Sequence, residues 1–116
     1  MLTEVPPGKP ACPFHVHPIE NEMFIVRSGT GEYRFGKDVY PVGTGDVLGA
    51  PHGDASYAHK LTNTGAETLR DLGISSESDR QVCEYPDSGK LMVRSSEGDG
   101  QDALRFVRRV DDARGY

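Results

Sequence analysis

Two of the four histidines stand one residue apart in "PFHVHPIENE", and a glutamate follows close behind: His15, His17 and Glu22. In an extended chain, side chains at i and i+2 leave on the same face, so a strand over "FHVH" would aim both imidazoles at one point. Pro18 opens a turn that lets Glu22 begin the next antiparallel strand and fold back beside them. A third imidazole, His59, lies in the separate strand candidate "YAHKLTN". Three imidazoles and one carboxylate form a mixed nitrogen and oxygen donor set. It suits one divalent transition metal, Fe, Mn, Ni, Zn or Cu, and suits Ca or Mg poorly. Such a set leaves positions open for water or a substrate oxygen, which is what metal-assisted chemistry uses.

Short strands must position these groups. Runs such as "LTEV", "EMFIVRS", "GEYRFG", "DVYPV", "DVLGA", "ETLRDLGIS", "RQVCEY" and "KLMVR" recur between turn signals such as "PPG", "SGTG", "GTGD" and "PDSG". Regular turn spacing with strands of this length predicts an all-β sandwich or barrel. "EYRF" alternates, with Tyr33 and Phe35 on one face. "MFIV" is apolar on both faces, as expected of a central strand or a subunit contact, and we expect a homodimer on that ground. The spacing predicts a single domain over residues 1–94, followed at 95–116 by a flexible linker, "SSEGDGQD", and a short C-terminal strand or helix.

Composition narrows the function classes. The chain has 116 residues, 14 of them Gly and 8 Pro, with 35% hydrophobic residues and a net charge of −5. The acidic balance and scattered cations argue against nucleic-acid binding. No apolar run approaches the length of a membrane span, and "MLTEVPPGKP" lacks the basic and apolar regions of a signal peptide, so the expected location is cytoplasmic, with no membrane partner. Cys12 and Cys83 read as free thiols, and the absence of C-x-x-C excludes a cysteine-type structural zinc site.

The order of residues resembles the two motifs of the cupin superfamily. Motif one is matched by His15-x-His17, "PIEN", Glu22, "MFIVRS" and Gly29. Motif two is matched by Gly45, "DVLGA", Pro51-x-Gly53 and the tail His59-"KLT"-Asn63. The resemblance implies an antiparallel double-sheet jelly-roll barrel with a metal inside, held by His15, His17, Glu22 and His59. Two departures stand out. Lys9 occupies the place of an expected Gly, and Ser56 stands where motif two expects its histidine, so the "DASYA" loop is longer than usual. "VCEYPDSGK" is also similar to small cupins labelled sugar-phosphate-isomerase-like.

His52, between Pro51 and Gly53, reads as an exposed turn residue and a reserve ligand. Tyr57 shares the face of His59 if "SYAHKLTN" is one strand. It is then either a wall residue or the catalytic acid/base. Phe24, Val26, Tyr33, Phe35 and Leu61 read as lining. Arg27, Arg34 and Lys60 fall on the opposite phase to the metal, leaving only Lys90, Arg70 or a loop residue to meet a phosphate. These readings favour a small, oxygen-bearing ligand, neutral or singly charged. The expected function is a metal-dependent enzyme of isomerase, dioxygenase or lyase type; the alternative is a non-catalytic binding or sensing module with a structural metal.

Overall fold

A computed structural model describes residues 1–76, 80–97 and 101–109. Its regular elements are ten β-strands and one 3-10 turn. The strands are β1 (Leu2–Val5), β2 (Glu22–Ser28), β3 (Thr30–Phe35), β4 (Asp38–Gly43), β5 (Val47–Ala50), β6 (His59–Asn63), β7 (Leu69–Ser75), β8 (Arg80–Tyr85), β9 (Lys90–Glu97) and β10 (Gln101–Arg109), with the 3-10 turn at Ala55–Tyr57 before β6. All strand pairs are antiparallel, in three sheets ordered β1-β7-β2-β5, β4-β3-β6 and β10-β9-β8.

The first two sheets are the facing layers of a jelly roll. Period-two alternation turns Val5, Val26, Tyr33, Val42, Leu48, Leu61 and Leu69 inward as one cluster, with Phe24 and Phe35 packed against it. The lining expected from the sequence is thus this core. β2 is an interior strand, with Val26 buried, while Met23 on its other face is 37% exposed. Gly29 joins β2 to β3 at φ 97°, and a Cβ there would lie 2.9 Å from the Leu69 Cα, so the turn admits glycine alone. Asn63 is fully buried. Its amide donates to the Val5 and Glu67 carbonyls and its oxygen accepts from the Gly65 amide, tying β1 to the β6–β7 turn.

Three sequence expectations are corrected. "FHVH" is extended but is not a ladder strand. His15 makes a bridge with His59 in β6, and Val16 makes one with Glu84 in β8. The segment therefore stitches two sheets together, and Pro13 and Pro18, lacking N–H donors, keep either ladder from extending. Tyr57 is not in the strand with His59. The Asp54 carboxylate accepts from the Ser56 amide and caps the 3-10 turn that Tyr57 ends. That turn absorbs the extra residues of the "DASYA" loop.

The third correction concerns the C-terminus. Residues 95–97 and 101–102 belong to β9 and β10, whose register runs from Gln101↔Glu97 to Arg109↔Lys90. Backbone pairing is indifferent to the polar composition that suggested a linker. Of the two alternatives for the last stretch, the strand is found up to Arg109; residues 98–100 and 110–116 lie outside the described set. The C-terminal sheet docks through the Val16–Glu84 bridge and through Arg34, which pairs with Asp87 at 2.8 Å and stacks over Phe14. Among the described residues, no helix is long and apolar enough to cross a membrane.

Candidate metal centre

The bridge between His15 and His59 sets the site. Their backbones exchange N–H···O bonds of 3.1 and 2.8 Å, so the two rings sit side by side, with centroids 4.6 Å apart. Glu22, the first residue of β2, reaches them from the facing sheet. One oxygen, Oε1, lies 2.6 Å from His17 Nε2, 3.7 Å from His15 Nε2 and 4.0 Å from His59 Nε2. Three side chains close in sequence and a fourth from β6 thus converge on one point. His52 is elsewhere: it is exposed, and its ring contacts Asn21.

The imidazoles are oriented in a specific way. His15 Nδ1 donates to the Pro13 carbonyl at 2.8 Å, and His59 Nδ1 donates to the Tyr57 carbonyl at 3.3 Å. Each bond fixes its ring so that Nε2 faces the cluster, the arrangement that surrounds metal-ligating histidines. His59 Nε2 is buried without a hydrogen-bond partner, and Glu22 Oε1 is buried with imidazole nitrogens on it. Buried polar atoms are ordinarily satisfied, and a divalent cation would satisfy the His59 nitrogen. The donor chemistry fits a transition metal.

Electrostatics follow from the same crowding. For His15, burial works to lower the pKa, but the Cys12 sulfur 3.4 Å from Nδ1 and the Glu22 carboxylate hold it up at about 10. Burial, and then the nearby charge of His15, push His59 down to about 4. Glu22 is half-buried, yet hydrogen bonds from His15 and His17 hold its carboxyl far below the usual range. Without a metal, the pocket therefore keeps its carboxylate charged and shares its cationic charge unequally among the rings.

Two cavities flank the cluster. One, of about 220 Å³, is lined by Phe24, Leu61, His15, Glu22, His59 and, at a polar edge, Thr3 and Asp71. The other, of about 470 Å³, adds His17, Glu20, Gln81, Cys83, Tyr85 and Arg94. Tyr57 lines neither; it is 42% exposed, with its ring edge-on to Phe35. Lys60 and Arg34 also line neither, in line with their phase in the sequence.

Three residues that sequence reasoning passed over stand at the site. Asp71 is 3% exposed with Oδ2 unpartnered, and burial pushes its carboxyl above the usual range. Its signal was its phase, two residues after the buried Leu69 on β7. Arg94 sits two residues after the buried Met92 on β9, which puts a cation in the larger cavity after all. Cys83 is 3% exposed, and its thiol is pushed up to about 11 by burial.

Comparison with known proteins follows the same division. A putative sugar phosphate isomerase from Acidithiobacillus ferrooxidans is 33% identical with a TM-score of 0.81, the match covering 96% of this chain and 66% of that one. A sugar phosphate isomerase of the cupin superfamily from Silicibacter pomeroyi is 20% identical with a TM-score of 0.83, covering 95% and 66%, and speaks to the fold alone. A predicted oxalate decarboxylase from Thermotoga maritima is 27% identical with a TM-score of 0.58, covering 64% of this chain and 61% of that one. The chain thus spans about two thirds of the length of the first two structures. No curated protein matches. The family model described as "Cupin domain" matches residues 1–74, the segment that holds all four converging side chains and both facing sheets. The chain belongs to the cupin domain family.

Proposed function

We propose that the protein is a metal-dependent enzyme acting on a small oxygen-bearing molecule, with His15, His17, Glu22 and His59 holding one divalent transition metal. The observation that carries this reading is the convergence of three Nε2 atoms within 4.0 Å of one Glu22 oxygen, beside two cavities. When bound, the metal would supply Lewis-acid polarisation of a ligand oxygen.

The chain's own residues do the rest. Phe24 and Leu61 exclude water from the smaller cavity. Asp71 is buried there with an unpartnered oxygen, so it takes the acid/base role first expected of Tyr57: it can accept a proton from a bound ligand at Oδ2 and return it. Arg94 offers the larger cavity a guanidinium for an anionic substituent. That cation supports isomerisation of an anionic sugar as the first reaction class to assay, as does the name of the 33% identical structure. Dioxygenase and lyase chemistry are the next classes.

The outer side of β2 supports a homodimer. Leu2, Leu72, Ile25 and Val47 form one row across the four-stranded sheet by register, and Leu2 and Val47 are about 60% exposed. The exposed position of Tyr57 favours the second reading, a binding module without turnover.

The test is metal analysis of tag-free protein together with assays on aldose and ketose phosphates. The expected result is one metal per chain and turnover that is lost on chelation and restored by metal. Asp71→Asn is expected to abolish turnover with metal content unchanged. Tight binding without product would select the binding module, and metal-free protein that takes up no metal would overturn the site.

A further inference from the structure

The C-terminal sheet lies outside the segment matched by the family model, yet it brings a sulfur to the cluster. Val16 bridges Glu84 with N–H···O bonds of 3.0 and 2.9 Å. In an antiparallel pair, the neighbours of a bridge also face one another, so His17 stands opposite Cys83 and His15 opposite Tyr85. The His15 and Tyr85 rings, with centroids 6.4 Å apart, show that register carried into the side chains. Cys83, His15 and His17 each offer a donor atom, and the three atoms lie within 4.8 Å of one another. The Nε2 of the nearly inaccessible His59 is buried without a hydrogen-bond partner. Tyr85, two residues on and on the same face, hydrogen-bonds the sulfur.

We propose that Cys83 is a thiolate ligand to the metal held by His15 and His17, added to the set from a different sheet. The inference rests on the metal reading above. A buried cysteine serving only as a small apolar filler would not need two imidazoles and a phenol arranged around it. Coordination forms a sulfur–metal bond and breaks the S–H bond, and the proton passes to the buffer. Thiolate shifts the preference of the site towards Zn, Co, Cd and Cu and away from Mn.

The experiment adds Co(II) to the metal-stripped full-length chain and records its absorption spectrum. The expected result has visible d–d bands for one bound Co(II), together with a near-ultraviolet thiolate-to-cobalt charge-transfer band. Cys83→Ser and Cys83→Ala should each keep the d–d bands and lose the charge-transfer band, and Cd(II) affinity should fall about tenfold or more, a loss that even outer-shell changes at metal sites produce. Cys12→Ser should leave the spectrum unchanged. Bound Co(II) without a charge-transfer band would overturn the role of Cys83 and leave the metal site standing. A band that survives in both Cys83 variants would overturn it in favour of Cys12. Absence of any Co(II) binding would overturn the metal reading itself.

Discussion

The jelly roll of residues 1–76 and the sheet of residues 80–97 and 101–109 build the same site by different means. In the first, four donors are written into two motifs, and the strands that carry them share one core. In the second, Cys83 and Arg94 stand at the same cluster outside the two motifs, delivered by the Val16–Glu84 bridge and the wall of a cavity. The oxalate-decarboxylase-named structure covers 64% of the chain, whereas the two named as sugar phosphate isomerases cover 95% and 96% and so extend over the second region too. The lesson is that the cluster written into the motifs and the wall added by the C-terminal sheet can be separated, and mutation can do the separating.

The largest expected effect falls on the cluster. His17→Ala removes the ring that lies 2.6 Å from Glu22 and should abolish most metal binding, read by elemental analysis. His59→Ala should lower affinity on the order of tenfold or more, whereas His52→Ala leaves it unchanged in a paired titration. Full occupancy in the His17 variant would break the first half of the comparison.

Stability should divide in the same way. A Cβ on Gly31 would lie 2.4 Å from the Thr62 carbonyl oxygen, inside the jelly roll. Gly31→Ala should cost about 3 kcal/mol or more in denaturant unfolding, because backbone must move. Gly89, in the β8–β9 turn at φ 68°, meets nothing within 4 Å, so Gly89→Ala should cost only the left-handed penalty, about 1 kcal/mol. Equal costs would mean that the two regions are equally tightly packed.

The metal-free protein should show a stability maximum near neutral pH. His59 titrates at about 4 when folded and near 6.5 when unfolded, so only the unfolded chain takes up that proton between these values. Its contribution is present above pH 6.5 and is lost as pH falls towards 4, by about 3 kcal/mol at most. His15, held at about 10, acts in the opposite sense: its contribution is full below pH 6.5 and is lost as pH rises towards 10. Thermal unfolding across this range should trace both limbs, and His59→Gln should flatten the acid one. An unchanged acid limb would assign it to other groups.

The smallest expected effect belongs to the wall. Arg94→Met should weaken binding of a sugar phosphate about tenfold, as loss of one charge-assisted contact does, with metal content unchanged. Calorimetry with intact affinity would remove the anion from the proposed function and return the ligand to the neutral class.

Much of this molecule was legible in its sequence, and each case has a local cause. Alternation in "EYRF" and "HKLTN" fixed which side chains turn inward, because period-two geometry is a property of a single strand. Part of what Gly29 and Asn63 do is local, a left-handed turn and bonds to Gly65 and Glu67, so their places were readable before their distant partners Leu69 and Val5 were known. His15, His17, Glu22 and His59 were singled out by type and spacing, and the structure brings those four together.

What tertiary structure alone decided concerns partners distant in sequence. Extended residues 13–17 form bridges to two sheets instead of one ladder, because β6 and β8 arrive on opposite sides of that segment. Tyr57 left the inward face once Asp54 capped a turn ahead of β6. Asp71, Cys83 and Arg94 are ordinary members of ordinary strands until three sheets meet, and only that meeting determines that they share walls with the imidazoles. A sequence determines the face on which a strand residue stands; which other strand faces it is set by how the whole chain buries its apolar surface.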